Sequence, residues 1–160
     1  MALFIDTSRI EEIERAMKMG IIRGVTTNPM IFMKEKEADR PFSLKDRIIE
    51  IARVVSPYPV SVEVTSNEPA IMIDQAREFS SWAENIVVKI PVHGPKGELE
   101  NIEVAHLLEK KYNIKVNLTA MMSAQQCLIG ALAGASYVSL FGGRINNMGY
   151  DAREEIRKAR

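Results

Sequence analysis

The sequence contains one cysteine, Cys127, so no internal disulfide can form and a disulfide-stapled secreted scaffold is excluded. It has no net charge: 21 basic residues balance 21 acidic ones. Nothing in that balance points to nucleic acid or an anionic membrane as a partner. No apolar run approaches the roughly 20 residues needed to cross a bilayer. The opening Met1-Ala2-Leu3-Phe4-Ile5-Asp6 puts an acid where the apolar core of a signal peptide would continue. The expected location is the cytoplasm. His93 and His106 form no ligand cluster with Cys127, so no metal is expected. No Gly-rich dinucleotide fingerprint follows any strand candidate, and no tandem repeat or low-complexity stretch is present. What is present, 46% hydrophobic and 26% charged residues in a chain of 160, suits one globular core. The chain is read as a single domain over residues 1–160.

Short β-branched runs alternate with longer segments of helical period. The strand candidates are Leu3–Thr7, Gly24–Asn28, Val60–Val64, Ile86–Ile90, Lys115–Thr119 and Tyr137–Phe141, each bounded by turn residues such as Asn28-Pro29 or Gly142-Gly143. Helices are predicted from Ser43 to Val55, Pro69 to Trp82, Asn101 to Lys111, Ser123 to Ala133 and Asp151 to the end. Another is predicted after Ser8-Arg9-Ile10-Glu11, a capping-box pattern, with Ile10, Ile13, Ala16 and Met17 facing a sheet. Lys34 to Pro41 reads as a charged, solvated loop, and His93 to Gly97 as a second loop delaying the fourth helix. Cys127 and the nine methionines read as core filling, and Trp82 as packing at a helix end.

Parallel strands need crossovers, and helices supply them, so the expected class is α/β with a parallel (β/α) TIM-type barrel. Strand centres recur about every 27 residues, so eight units would need about 215 residues. The expectation is a barrel with about six of its eight units present and the last two lacking through truncation.

Parallel strands covered on both faces should be almost wholly apolar. Here each strand carries polar side chains near its C-terminal end: Asp6, Thr26 with Asn28, Glu63, Lys89, Asn117 with Thr119, and Ser139. Residues two apart share a strand face, so the paired positions can point into one pocket. Taken singly, such residues usually just begin a loop. Asp6 can cap locally, Asn28 suits a turn before Pro29, and Glu63 with Lys89 can be a structural ion pair. Six strands contributing at one end nevertheless make a site, because barrel active centres lie there.

Lys89 stands between Val87-Val88 and Ile90-Pro91. Burial disfavours an ammonium, and a neutral amine can add to a ketone and give an iminium. That cation accepts electrons when a neighbouring carbon–carbon bond breaks, with Asp6 and Glu63 as the available proton carriers. The competing reading is a lysine that snorkels from the sheet end into water.

Six strings occur in order: Phe4-Ile5-Asp6-Thr7-Ser8, Gly24-Val25-Thr26-Thr27-Asn28-Pro29, Val60-Ser61-Val62-Glu63-Val64, Ile86-Val87-Val88-Lys89-Ile90-Pro91-Val92, Asn117-Leu118-Thr119 and Tyr137 to Ile145. Together they resemble the short transaldolases and fructose-6-phosphate aldolases. The resemblance implies a (β/α) barrel, Schiff-base chemistry without metal or cofactor, phosphorylated sugar substrates and a homo-oligomer. It makes Lys89 the imine-forming lysine, Asp6 the acid/base at the cleaved hydroxyl, and Glu63 with Thr119 the holders of a catalytic water. Asn28 and Asn117 then bind substrate hydroxyls, Ser139 lies near the carbonyl-side hydroxymethyl group, and Arg144 anchors phosphate, with Thr26 and Phe141 beside them. Glu63 and Phe141 resemble the transaldolase branch, since the aldolases tend to carry glutamine and tyrosine there. The implied reaction transfers a dihydroxyacetone unit between sugar phosphates in the nonoxidative pentose phosphate route. The alternatives are a fructose-6-phosphate-type aldolase and an inactive sugar-phosphate binding or assembly protein. Leu140, where many relatives have proline, and residues 146–150 depart from the pattern.

Overall fold

A computed structural model of the chain describes residues 3–38 and 43–160. All six expected strands are present: β1 (Ile5–Asp6), β2 (Val25–Thr26), β3 (Val60–Glu63), β4 (Ile86–Pro91), β5 (Val116–Met121) and β6 (Tyr137–Leu140). They form one sheet in chain order, β1 to β6, and every strand is followed by a helix. This is the βα succession of a parallel (β/α) barrel, with six units in the chain. Among the described residues no helix is long and apolar enough to cross a membrane.

The chain divides into two compact units, residues 1–65 with 75–88 and residues 66–74 with 89–160. In the first, β1 pairs in parallel with β2, Ile5 beside Val25 and Asp6 beside Thr26, and β2 with β3, Val25 beside Val60. Helix α1 (Ile10–Lys18) buries Ile13 and Ala16, as its period predicts. Its start corrects the capping box. The helix begins at Ile10 with Arg9 as N-cap and no side-chain cap, so Ser8 and Glu11 stand at the wrong offsets. Thr7 does the work instead, accepting from the Arg9 N–H at 3.2 Å and donating to Glu12 at 2.7 Å.

Helix α2 (Pro29–Ala38) corrects the first loop: residues 34–38 continue a helix that Asn28 opens, and Asp39, Arg40 and Pro41 lie outside the described residues. Helix α3 (Leu44–Val55) is capped by Ser43, whose hydroxyl accepts from the Asp46 N–H at 3.0 Å, and buries Ile48, Ile51, Ala52 and Val55. Asn85 ties the far end of α3 to the entry of β3, donating to the Ala52 and Tyr58 carbonyls at 3.0 and 2.7 Å. Gly24 is required where it stands: a Cβ there would lie 2.2 Å from the Phe4 ring.

Helix α4 (Pro69–Ser80) runs from one unit into the other, and Trp82 packs against Phe79 just past its end, with centroids 4.7 Å apart and ring planes tilted by 43°. In the second unit, α5 (Glu100–Lys111) precedes β5, and α6 (Ala124–Ala133) runs from an N-cap at Ser123 to Gly134 in the left-handed region at φ +93°. A short helix not expected from the glycine pair, α7 (Gly142–Asn147), follows β6 and leads into α8 (Ala152–Ala159), capped by Asp151.

Two hydrogen-bonding clamps hold this second unit. A single oxygen of Glu109 on α5 accepts from the N–H groups of Val116 and Ser136, both at 2.7 Å, joining the entries of β5 and β6. Glu155 on α8 accepts from the first N–H of α6, Ala124, at 2.8 Å. That bond, with Lys158 alongside, holds the Glu155 carboxyl below its ordinary pKa.

Cys127 is buried on α6 as predicted, and burial, with Glu155 nearby, pushes its thiol pKa up. The methionines are a partial correction. Met72 and Met121 are fully buried, but Met19, Met30, Met33 and Met148 are more than half exposed.

Candidate functional site

Of the polar residues singled out above, Asp6, Thr26 and Glu63 end their strands, Asn28 lies two residues past β2, and Lys89, Asn117, Thr119 and Ser139 lie within β4, β5 and β6. In the first unit the Thr26 hydroxyl donates to Asp6 Oδ1 at 2.8 Å, a contact fixed by the β1–β2 register. Asp6 is exposed. Thr27, next along, turns the other way and gives its hydroxyl proton to the Ser61 carbonyl at 2.8 Å, locking β2 to β3 beyond their ladder. Asn28 uses its side-chain oxygen to accept from the Ile31 N–H at 3.0 Å, so it caps α2 ahead of Pro29 at the first helical position. Its amide N–H₂ is not engaged by that cap. Glu63 ends β3, half buried. Asn28 and Glu63 lie at the edge of a cavity of about 170 Å³ walled chiefly by Phe32, Met33, Leu44 and Val62.

In the second unit Lys89 is 6% exposed, set between Val88 and Ile90, both at 0%. The following residue is held by its neighbours: the Pro91 carbonyl accepts from the buried Asn101 side chain at 3.0 Å. On β5, Asn117 and Thr119 are both buried. The Ser139 hydroxyl on β6 donates to Asn117 Oδ1 at 2.8 Å. The Thr119 hydroxyl is fully buried and meets no hydrogen-bond partner among the described residues. A buried hydroxyl left unpaired is costly, and this one retains the capacity to bond a group from outside the chain. Phe141 and Arg144 are exposed and share an open recess with Gly142, Gly143 and Asn147.

Two direct contacts thus join expected site residues, Asp6 with Thr26 and Asn117 with Ser139, pairs that the sequence reading does not group. Sequence reasoning missed Thr27, a second hydroxyl beside the predicted one, and Ala120, which follows Thr119 with φ of +60°. Thr27 could have been found from its buried β-branched position. Nothing in an alanine announces a left-handed backbone.

A family profile described as "Transaldolase/Fructose-6-phosphate aldolase" matches residues 3–160. The chain belongs to that family. It is 41% identical over 151 residues to a protein of Dehalococcoides mccartyi named "Probable transaldolase", covering 94% of this chain and 65% of the relative. Proteins of the same name from Desulforudis audaxviator and Clostridium botulinum are 41% and 44% identical over 98% and 93% of this chain, and 67% and 64% of their own lengths. The chain thus spans about two thirds of the relatives it matches. Among solved structures, a mandelate oxidase aligns over 99% of this chain and 57% of its own with a TM-score of 0.54 at 13% identity. A likeness at that identity speaks for the α/β-barrel fold alone. The six strings that carry the family resemblance hold all ten expected site residues and fall within the matched span.

Proposed function

We propose that this protein is a transaldolase-type enzyme that moves a dihydroxyacetone unit between sugar phosphates through a Schiff base on Lys89. The reading rests on one observation above the others: the amine of Lys89 belongs to a buried residue in the most apolar stretch of β4, at the position where the family resemblance puts the imine. The neutral amine adds to the carbonyl carbon of a ketose phosphate, and loss of water leaves an iminium. Asp6 takes the proton of the hydroxyl beside the bond to be broken. The carbon–carbon bond then cleaves, its electron pair flows into the iminium, and an aldose phosphate leaves. The remaining three-carbon enamine attacks a second aldehyde, and water held by Glu63 and Thr119 hydrolyses the new imine. Asn28, Asn117, Ser139 and Thr26 bind or orient substrate hydroxyls. Arg144 meets the phosphate, since a guanidinium can offer two parallel donors to two oxygens. Glu63 and Phe141 favour transfer over free cleavage, and the same reading makes the protein a cytoplasmic homo-oligomer.

The test is borohydride reduction in the presence of a ketose phosphate, followed by peptide mass mapping. A reduced adduct on Lys89, absent from Lys89→Ala, is the expected result. An adduct that survives Lys89→Ala, or tight binding with no adduct, overturns the reading. Free dihydroxyacetone formed without an aldose acceptor would move the protein to the aldolase branch.

A further inference from the structure

Strand β5 has one residue more than its pairing with β6 requires. Leu118 pairs with Val138 and Met121 with Leu140, so three steps on β5 match two on β6. Within those three steps lies Ala120 at φ +60°, a conformation that residues with a side chain rarely adopt and that Gly and Asn tolerate best. The extra residue is a β-bulge, a device that re-aims the side chains that follow it.

The side chain re-aimed here is Met121. Asn117 and Thr119 share one face of β5, and unbroken alternation would add Met121 to it. Instead Met121 Cε lies 2.8 Å from the position a Cβ on Gly130 of α6 would occupy, with Val138 Cγ1 at 2.9 Å and Leu118 Cδ1 at 3.3 Å from the same point. Met121 therefore sits with Leu118 on the α6 side, three residues apart where regular alternation would oppose them. The backbone remains tied on both sides of the bulge: the Thr119 carbonyl accepts from the Val92 N–H and the Met121 carbonyl from the Phe141 N–H, both at 2.8 Å.

We propose that Ala120 is a positioning residue, whose left-handed backbone turns Met121 toward α6 and keeps the Asn117–Thr119 face clear for a small polar ligand. The ligand is the water and substrate hydroxyls assigned to that face above, and to that extent the inference rests on the proposed function. A long thioether directed onto that face would stand over the unpartnered Thr119 hydroxyl and exclude water from it. Gly130, having no side chain, leaves the space that Met121 occupies instead.

The test compares Ala120→Gly, Ala120→Asn and Ala120→Val in the full chain. Asn and Val are similar in size and opposite in their tolerance of a left-handed backbone, so a role in space filling and a role in backbone geometry give different orders. One readout is the nuclear Overhauser contact between the labelled Met121 methyl and Val138. The other is the limiting rate of borohydride-trapped adduct on Lys89 at saturating ketose phosphate. Gly and Asn variants are expected to keep the methyl contact and trap within about twofold of the parent, while Val loses the contact and traps at least about tenfold more slowly. Adding Met121→Ala to the Val variant should restore part of the rate.

A folded Ala120→Val that keeps the Met121–Val138 contact overturns the inference, and so does one that loses it without slowing adduct formation. Should the Val variant not fold, an Asn variant that folds but loses the contact or the rate overturns it equally. If the parent forms no adduct, the proposed function falls, and the methyl contact alone then decides what Ala120 does.

Discussion

Glu109 offers the sharpest stability test. One of its carboxylate oxygens serves two backbone donors, and the two differ in what happens when it is removed. Val116 is 0% exposed, so in Glu109→Ala its N–H stays buried without a partner. An orphaned buried donor costs about 1–3 kcal/mol. Ser136 is exposed, so its N–H turns to water and only the net worth of a hydrogen bond is lost, about 1 kcal/mol. Glu109→Ala should therefore lose about 2–4 kcal/mol, whereas Glu109→Gln, which keeps an oxygen at the same reach, should lose about 1 kcal/mol or less. Urea unfolding of the three proteins, compared at a common slope, measures both differences. Amide exchange adds a local check, since Val116 and Ser136 should lose protection in the alanine variant ahead of the helices. An alanine variant within about 0.5 kcal/mol of the parent, or a glutamine variant as weak as alanine, would refute the account of the clamp.

Gly24→Ala should destabilise by about 1–3 kcal/mol because the Phe4 ring must be displaced, and an unchanged melting temperature would count against that packing. Cys127 should resist alkylation in the native protein at mildly alkaline pH and react only after unfolding, since burial both hides the thiol and raises its pKa. Glu155 has a folded pKa below its ordinary 4.5. Its contribution is therefore fully present above that value and disappears as the pH falls through the lowered one. The stability gap between parent and Glu155→Gln should accordingly hold above 4.5 and narrow as the pH falls below it, and a gap that widens on acidification would reverse the sign. Lys89→Ala should fold while losing all adduct with ketose phosphate, as read by mass mapping.

The sheet was legible because a parallel strand covered on both faces must be a short apolar run, and each of the six runs ends in residues that cannot continue it. The polar residues near those ends stood out for the same reason: Lys89, inside Ile86-Val87-Val88 and Ile90-Pro91, interrupts an otherwise apolar run. Helix α2 was hidden because its second half is a charge run, and charge runs are common in loops and on outer helix faces alike. The Ser8–Glu11 pattern misled because a capping box depends on where the first turn begins, and that start lies one residue later than the pattern implies, with Thr7 and Glu12 bonded across it. Helix α7 was hidden behind two glycines that usually mark a turn. Backbone conformation was least accessible: at Ala120 the ladder decides φ, and the residue's own preference opposes it.

The bond from Thr26 to Asp6 reaches beyond holding two strands in step. A carboxylate has two oxygens, and here a hydroxyl that can donate only one proton has committed it to Oδ1. In the proposed reaction Oδ2 is the oxygen left with both lone pairs for a substrate proton, so the acid would acquire a direction as well as a location. Thr26→Val would leave the carboxylate in place with its two ends equivalent, and what would be lost is the asymmetry.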